Sequence, residues 1–326
     1  MILTGDIGGT KTVLALFEET PDGPTLVREE TYPSKSARTL EELALRFLES
    51  SGRPAVRAAC LGVAGPVVDG CVKTTNLPWE FDQTTLADTL GIPKVRLLND
   101  LEAAAYGVLA ASPETFLTLQ SGMPRKEPAT MVLIAAGTGL GEAIMPWDGA
   151  RHLVIASEGG HADFAPRTEL EVQLWEFLRR EFGRVSYERV LSGPGFFNVY
   201  RFLRYHRKLE EPAWLTAQIA AGDPSAAVSQ AALAGLDPVC VESLTLCVSI
   251  YGAEAGNLAL KALAVGGVYV GGGIAPKILE LFREGPFMAG FLEKGRMTDL
   301  MRTIPVHIVR DPRAPLLGAA DRGRAL

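Results

Sequence analysis

The sequence predicts an alternating α/β protein built as two domains of duplicated topology, one on each side of a cleft. Three observations predict this class. A pattern of strand, glycine turn and strand opens the chain and returns near its middle. Short apolar runs alternate with amphipathic helical segments along the whole length. Finally, 326 residues, 47% hydrophobic and 21% charged, are enough for about two ordinary globular cores.

The first copy of the pattern runs from Met1 to Phe17 and the second from Met131 to Met145. Each leads through a turn, 21–23 and 146–149, into a third strand expected at Thr25 to Thr31 and at Arg151 to Ala156. Gly8 and Gly137 stand 129 residues apart, the spacing of a duplicated domain and not of a solenoid, whose period is roughly 20–50 residues. Both loops, Gly8-Gly9-Thr10-Lys11 and Gly137-Thr138-Gly139, can turn backbone N–H groups toward phosphate oxygens. Neither is a P-loop or a dinucleotide loop, because those open a helix, whereas Val13 to Phe17 is apolar and ends at a Pro-Asp-Gly turn. Thr10 also stands where the Walker spacing requires its second glycine. Each loop alone reads equally as an ordinary hairpin turn. The two together, with matching flanks, point to a two-sided phosphate cradle.

Further along, Thr39 to Glu42 and Thr168 to Glu171 have capping-box spacing and start amphipathic helices. Asp237-Pro238 opens a long apolar helix. Buried strands are expected at Ala58 to Ala64, Lys94 to Leu98 and Val265 to Val270, and helices at Leu101 to Ala111 and Ile274 to Phe282. No low-complexity linker marks a boundary. The expected division is a small α/β domain of residues 1–110 plus 303–326 and a large one of 111–302, with strand Val306 to Val309 and helix Pro315 to Arg322 crossing back to complete the first.

Composition narrows the function. A net charge of −6 without a Lys/Arg run argues against nucleic-acid binding and favours a small polar substrate. Four cysteines without C-x-x-C pairing, and only four histidines, suggest reduced buried thiols in a cytoplasmic protein and no zinc cluster. The N-terminus has a strand pattern and not a signal peptide. The apolar stretch Pro238 to Leu263 contains Glu242, Glu254 and Lys261, so a buried helix is expected there and not a membrane span.

Candidate chemistry lies at strand ends. Asn99-Asp100 closes an apolar strand before a helix, so Asp100 can take a proton from a hydroxyl attacking a phosphoryl group; it reads equally as the helix N-cap. Ser157-Glu-Gly-Gly-His161 offers Glu158 and His161, the acceptor and donor mixture that a sugar needs, although a lone histidine is more often structural. Asn76 and Glu188 are weaker singly, with an Asx turn and a solvated helix face as their plain readings. Gly271, Gly272 and Gly273 either let a flat ring approach the backbone or make a tight strand-to-helix connection.

Read in order, Asp6-Ile-Gly-Gly-Thr-Lys11, Gly62-Val-Ala-Gly-Pro66, Thr75-Asn76, Leu98-Asn99-Asp100, Gly137-Thr-Gly-Leu-Gly141, Ser157 to His161, Glu188 to Gly193 and Gly271 to Ile274 resemble the bacterial glucokinase family, from Leu3 to Ala320. The resemblance implies the actin-like ATPase (ribonuclease H-like) fold and phosphorylation of glucose by ATP at its 6-hydroxyl. It makes Asp100 the general base, and Asn76, Asn99, Glu158, His161 and Glu188 sugar-binding residues. It makes Gly8 to Thr10 and Gly137 to Gly139 the phosphate loops, Gly271 to Gly273 the adenosine loop, and Asp6 the carboxylate that holds Mg²⁺ through water. A homodimer is implied by the family alone. Lys11 stands where many relatives carry Asn, and either reaches a phosphate or caps the surface. Glu142 would be unfavourable facing phosphates and is expected to point away. The cysteine-free His161 to Ala165 favours the branch without the zinc site of the ROK relatives. Two alternatives remain: a hexose kinase for fructose, mannose or an amino sugar, and a noncatalytic nucleotide-switched module.

Overall fold

A computed structural model describes every residue except Asp22, Thr75 and Asn76. The chain divides into two compact units, Met1–Thr115 with Val154–Ala156 and Asp311–Leu326, and Phe116–Leu153 with Ser157–Arg310.

The first unit contains β1 (Ile2–Ile7), β2 (Lys11–Thr20), β3 (Gly23–Pro33), α1 (Leu40–Ser50) and β4 (Ala58–Val63). A small sheet follows, of β5 (Val67–Val68), β6 (Cys71–Lys73) and β7 (Glu80–Asp82), then α2 (Gln83–Leu90), β8 (Val95–Asn99) and α3 (Asp100–Ala110). The main sheet has the order β3-β2-β1-β4-β8, with β1, β4 and β8 parallel and the first two pairs antiparallel.

The sheet is buried on both faces at β1, β4 and most of β2, which explains their near-continuous apolar runs, while β3 is an exposed edge. On one face Leu3, Leu14 and Leu61 meet Leu40, Leu43 and Phe47 of α1. On the other, Val13, Ala15 and Phe17 meet Leu316 and Ala320 of the C-terminal helix Ala314–Arg324. That helix and α3 touch through their backbones: a Cβ on Gly107 would lie 1.9 Å from the Ala314 carbonyl oxygen, and one on Gly318 1.9 Å from that of Ala103. The contact fixes α3, and so its first residue, Asp100.

Register then aligns the chemistry. Ile7 pairs with Val63, and Val63 with Asn99, so the Gly8 loop and Asn99-Asp100 leave the same edge of one sheet. They are two strand spacings apart, roughly 10 Å.

The second unit contains β9 (Phe116–Gln120), β10 (Met131–Ala136), β11 (Leu140–Met145), the last residue of β12 (Ile155–Ser157), helices α4 (Glu169–Phe182), α5 (Gly193–Arg207), α6 (Ala213–Ala221), α7 (Pro224–Leu233) and α8 (Pro238–Ala262), then β13 (Gly267–Gly271), α9 (Leu279–Arg283), α10 (Pro286–Leu292), α11 (Thr298–Arg302) and β14 (Val306–Val309). Its sheet order is β12-β11-β10-β13-β14-β9. The β10–β11 hairpin repeats the β1–β2 hairpin, with Ala136 opposite Leu140. Parallel pairing of Ala135 with Gly271 sets the Gly137 loop beside the third glycine cluster.

α8 is long and apolar enough by length and composition to cross a membrane, and 72% of its most apolar stretch is buried. Its Tyr251 hydroxyl accepts a hydrogen bond from the Ala136 amide at 3.0 Å and so holds the end of β10 just before Gly137.

Several expectations are corrected. Val306–Val309 does not cross back: Val306 and Ile308 are fully buried and pair with β13 and β9 inside the second unit, and only the C-terminal helix returns to the first. The units therefore divide after Thr115 and after Arg310, where the expected divisions fell after 110 and before 303. The third strand of the second copy is confined to Ile155–Ser157, because Asp148 accepts the amides of Ala150 and Arg151 and holds the preceding chain in a turn. After Gly273 the chain first makes a short 3-10 turn, Ala275–Ile278, and the α-helix begins only at Leu279. Both expected capping boxes form, each with its glutamate reaching one residue further back: Glu42 takes the Arg38 amide and Glu171 the Arg167 amide.

Candidate active site

In the first unit the Gly8 amide closes the hairpin by donating to the Lys11 carbonyl at 3.0 Å. Ser34, fully buried after β3, braces the loop from behind: its hydroxyl donates to the Gly8 carbonyl at 2.7 Å and its amide to the Thr10 carbonyl at 3.0 Å. The amides of Gly9 and Thr10 at the tip donate to nothing among the described residues. This unit thus presents a braced turn with two unpaired amide donors at its tip. Asp6 sits just before the turn on β1; burial pushes its carboxyl above the usual carboxylate range, and Lys11 partly pulls it back.

Asn99 and Asp100 divide the roles that sequence left open. Asn99, not Asp100, caps α3: its side-chain oxygen accepts the amides of Leu101 at 2.9 Å and Glu102 at 3.3 Å, and its Nδ2 donates to the Gly65 carbonyl at 3.1 Å. Asp100 is the first helical residue, half-buried, with one carboxylate oxygen accepting the Leu101 amide at 2.9 Å. Asn76 lies outside the described residues.

In the second unit the loop closes the same way, with the Gly137 amide donating to the Gly139 carbonyl at 2.9 Å while the amides of Thr138 and Gly139 have no partner among the described residues. Neither Gly137 nor Gly139 has a positive φ, and a Cβ on Gly137 would meet nothing within 4 Å. The protein's own packing therefore does not require Gly137, which leaves open space over the loop.

Glu158, His161 and Glu188 come together beside that loop. The His161 Nε2 is 3.8 Å from a Glu158 oxygen and its Nδ1 is 4.0 Å from a Glu188 oxygen. These separations exceed hydrogen-bond length, so the groups keep acceptor and donor capacity for a ligand. The second Glu188 oxygen accepts the Leu140 amide at 3.0 Å, which ties the cluster to the exit of the glycine loop. A chain of backbone bonds holds the turns in place, from the Tyr187 amide to the Ala162 carbonyl and from the Gly193 amide to the Gly137 carbonyl.

The glycines of the third cluster separate by role. Gly272 has φ +83° and no room for a Cβ, which would lie 2.3 Å from the Ala136 carbonyl oxygen; it makes the tight connection. A Cβ on Gly273 would meet nothing within 4 Å, so Gly273 is the member with space above it. Gly271 ends β13 against Leu133.

Comparison with known proteins decides the family. The glucokinase family model matches residues 3–325. A glucokinase of Trichormus variabilis is 44% identical, with 98% of each chain covered. Among solved structures, a glucokinase from an Antarctic psychrotroph is 30% identical, with a TM-score of 0.84 and 100% and 99% of the two chains covered. A glucokinase from Balamuthia mandrillaris, solved in complex with glucose, matches at 22% identity and TM-score 0.82 over 99% and 93% of the chains.

The chain belongs to the glucokinase family. It is an ATP-dependent hexose kinase with the actin-like ATPase fold. Within that frame, sequence reasoning missed the residues that brace the glucokinase loops. Ser34 and Tyr251 carry no local motif and reach their loops only through the fold. Glu142 is almost fully buried beneath Gly159, with burial and the neighbouring Glu254 pushing its carboxyl up to about 7, and Lys261 pulling it back. The signal for it was a charged residue in an otherwise apolar strand.

Proposed function

We propose that the chain transfers the terminal phosphoryl group of ATP to the 6-hydroxyl of glucose, with Asp100 as general base. The observation that carries this reading is the seat of His161 among Glu158 and Glu188, with Glu188 also gripping the Leu140 amide beside a glycine loop. One rigid unit thus offers hydroxyl-reading groups next to phosphate-facing donors.

Asp100 takes the proton as the sugar oxygen attacks, which spares the transition state an oxonium charge. Asn99 orients it: the cap fixes the Asn99 carboxamide, and its second Nδ2 hydrogen is left to donate to the sugar. Glu158, His161 and Glu188 accept from and donate to the remaining hydroxyls, and Asn76 joins them. The outward amides of Gly9, Thr10, Thr138 and Gly139 bind phosphate oxygens where negative charge develops, and Lys11 adds a positive charge there. Gly273, with its neighbours Gly271 and Gly272, passes along the adenosine. A lone carboxylate, Asp6, suits a cation that keeps most of its water shell, and Mg²⁺ held there would neutralise phosphate charge. Three of the four free cysteines are buried, which agrees with a reduced, cytoplasmic enzyme. The proposed assembly is a homodimer with neither nucleic acid nor membrane as partner, which sedimentation can test.

Asp100→Asn is the discriminating variant. Asn keeps the oxygen that accepts the Leu101 amide, and Asn99 keeps the helix cap, so the fold is retained. Turnover should fall by about three orders of magnitude or more with glucose binding largely intact. Near-normal kcat would remove the assigned role.

A further inference from the structure

One buried cluster in the second unit has no part in the reaction described so far. Glu142 on β11 and Glu254 on α8 are 2% and 0% exposed, and their carboxyls meet in the interior. Glu142 Oε1 accepts no hydrogen bond from any of the described residues. Its Oε2 lies where a side chain on Gly159 would begin, 1.9 Å from the position of a Cβ there, while the same position on Gly160 is filled by the Leu140 carbonyl oxygen at 2.0 Å. The turn that carries Glu158 and His161 therefore rests directly on the Glu142 carboxyl and the β11 backbone.

We propose that Glu142 is a positioning residue for this turn: its buried carboxyl, packed under Gly159, is the floor that sets the height of Glu158 and His161. The inference rests on the reading of those two residues as sugar ligands. Two carboxylates in the same dry pocket repel, and the nearest relief for Glu142 is outward, against Gly159. A neutral Glu142 removes that push.

The groups around the pair agree. On α8, Lys261 Nζ stands 3.5 Å from Glu254, Asn257 donates to Glu254 at 2.8 Å, and Tyr251 faces Glu142. From other elements come Tyr187, which takes the second Asn257 hydrogen bond at 3.0 Å, and Lys294, which donates to Asn257 Oδ1 at 2.7 Å. Arg167 stands near Lys294, and burial first and then Arg167 push the Lys294 amine down to about 8. This set accommodates one negative charge well and a second poorly. The value of about 7 for Glu142 puts the change within the working range of a neutral enzyme.

The test compares wild type, Glu142→Gln and Glu142→Ala across about pH 6 to about pH 8.5. In wild type the glucose KM rises several-fold over this range while the ATP KM stays level. Glu142→Gln, neutral at every pH and able to donate to Glu254, keeps the low-pH KM throughout. Glu142→Ala raises the glucose KM by about tenfold at all pH values, with a smaller change in kcat. Hydrogen exchange of residues 157–161, corrected for its intrinsic pH dependence, provides a reading that needs no turnover. Protection falls with rising pH in wild type and not in Glu142→Gln. Equal pH dependence of KM and of exchange in wild type and Glu142→Gln would overturn the proposal. A wild type that ignores glucose but shows the exchange difference would leave the positioning role standing and remove the sugar reading.

Discussion

The sharpest structural prediction concerns Gly160. A Cβ there would lie 2.0 Å from the Leu140 carbonyl oxygen and 2.8 Å from its carbon, both backbone atoms of the first residue of β11. Contacts under 3.0 Å essentially do not occur, so Gly160→Ala must open the gap by about 1 Å. Leu140 cannot supply the movement, because its amide is held by Glu188 and its strand is paired with β10. The surface turn moves instead. His161 is the next residue, so it and Glu158 are displaced from Glu188 by a similar distance. A misplacement of about 1 Å costs about 100-fold in rate where geometry decides the reaction, whereas the overpacking costs only about 1–3 kcal/mol of stability. Gly160→Ala should therefore fold, by circular dichroism and a cooperative thermal transition, yet lose about 100-fold in kcat/KM for glucose with little change in the ATP KM. A folded variant within about twofold of wild type on glucose would refute the argument that this turn sets the sugar-reading geometry.

Gly137→Ala should behave in the opposite way: it meets no neighbouring atom, so unfolding free energy stays within about 0.5 kcal/mol of wild type, while the ATP KM rises by about tenfold because the methyl group occupies the phosphate approach. Equilibrium denaturation and initial rates at varied ATP check both halves. Asp237→Ala removes the buried partner of Arg204, 2.6 Å away, together with the N-cap of α8. It should cost about 3–5 kcal/mol by urea denaturation, and a loss under about 1 kcal/mol would show that the pair is structurally idle. The raised Glu142 carboxyl keeps its proton in the folded state after the unfolded chain has released its own. Wild-type stability relative to Glu142→Gln should then fall as pH rises from about 4.5 to about 7 and level off above that, and a parallel pair of curves would contradict it.

Much of the site was legible because its chemistry sits where the chain changes direction. The two glycine loops announce themselves by composition, and Asn99-Asp100 and Glu158 to His161 follow directly from strands. What stayed hidden depends on neighbours distant in sequence. Asn and Asp are equally good caps, so only the backbone at Asn99 tells which of the adjacent pair took that role. The segment Val306–Val309, apolar at three of its four positions, reveals burial but not which sheet it joins, and this moved the unit boundary. Ser34 acts on the Gly8 loop across an intervening strand pair, and the meeting of Glu142 with Glu254 exists only once α8 lies under β11. A charged residue in a buried strand signals that it needs a partner; the sequence does not say which.

The central claim is glucose-dependent phosphoryl transfer, and the most direct measurement is ADP release from Mg·ATP by the purified protein. Glucose should be compared with no sugar, fructose, mannose, N-acetylglucosamine and N-acetylmannosamine. The account predicts release that depends strongly and selectively on glucose. Slow release indifferent to every sugar, or preference for another hexose, would contradict it.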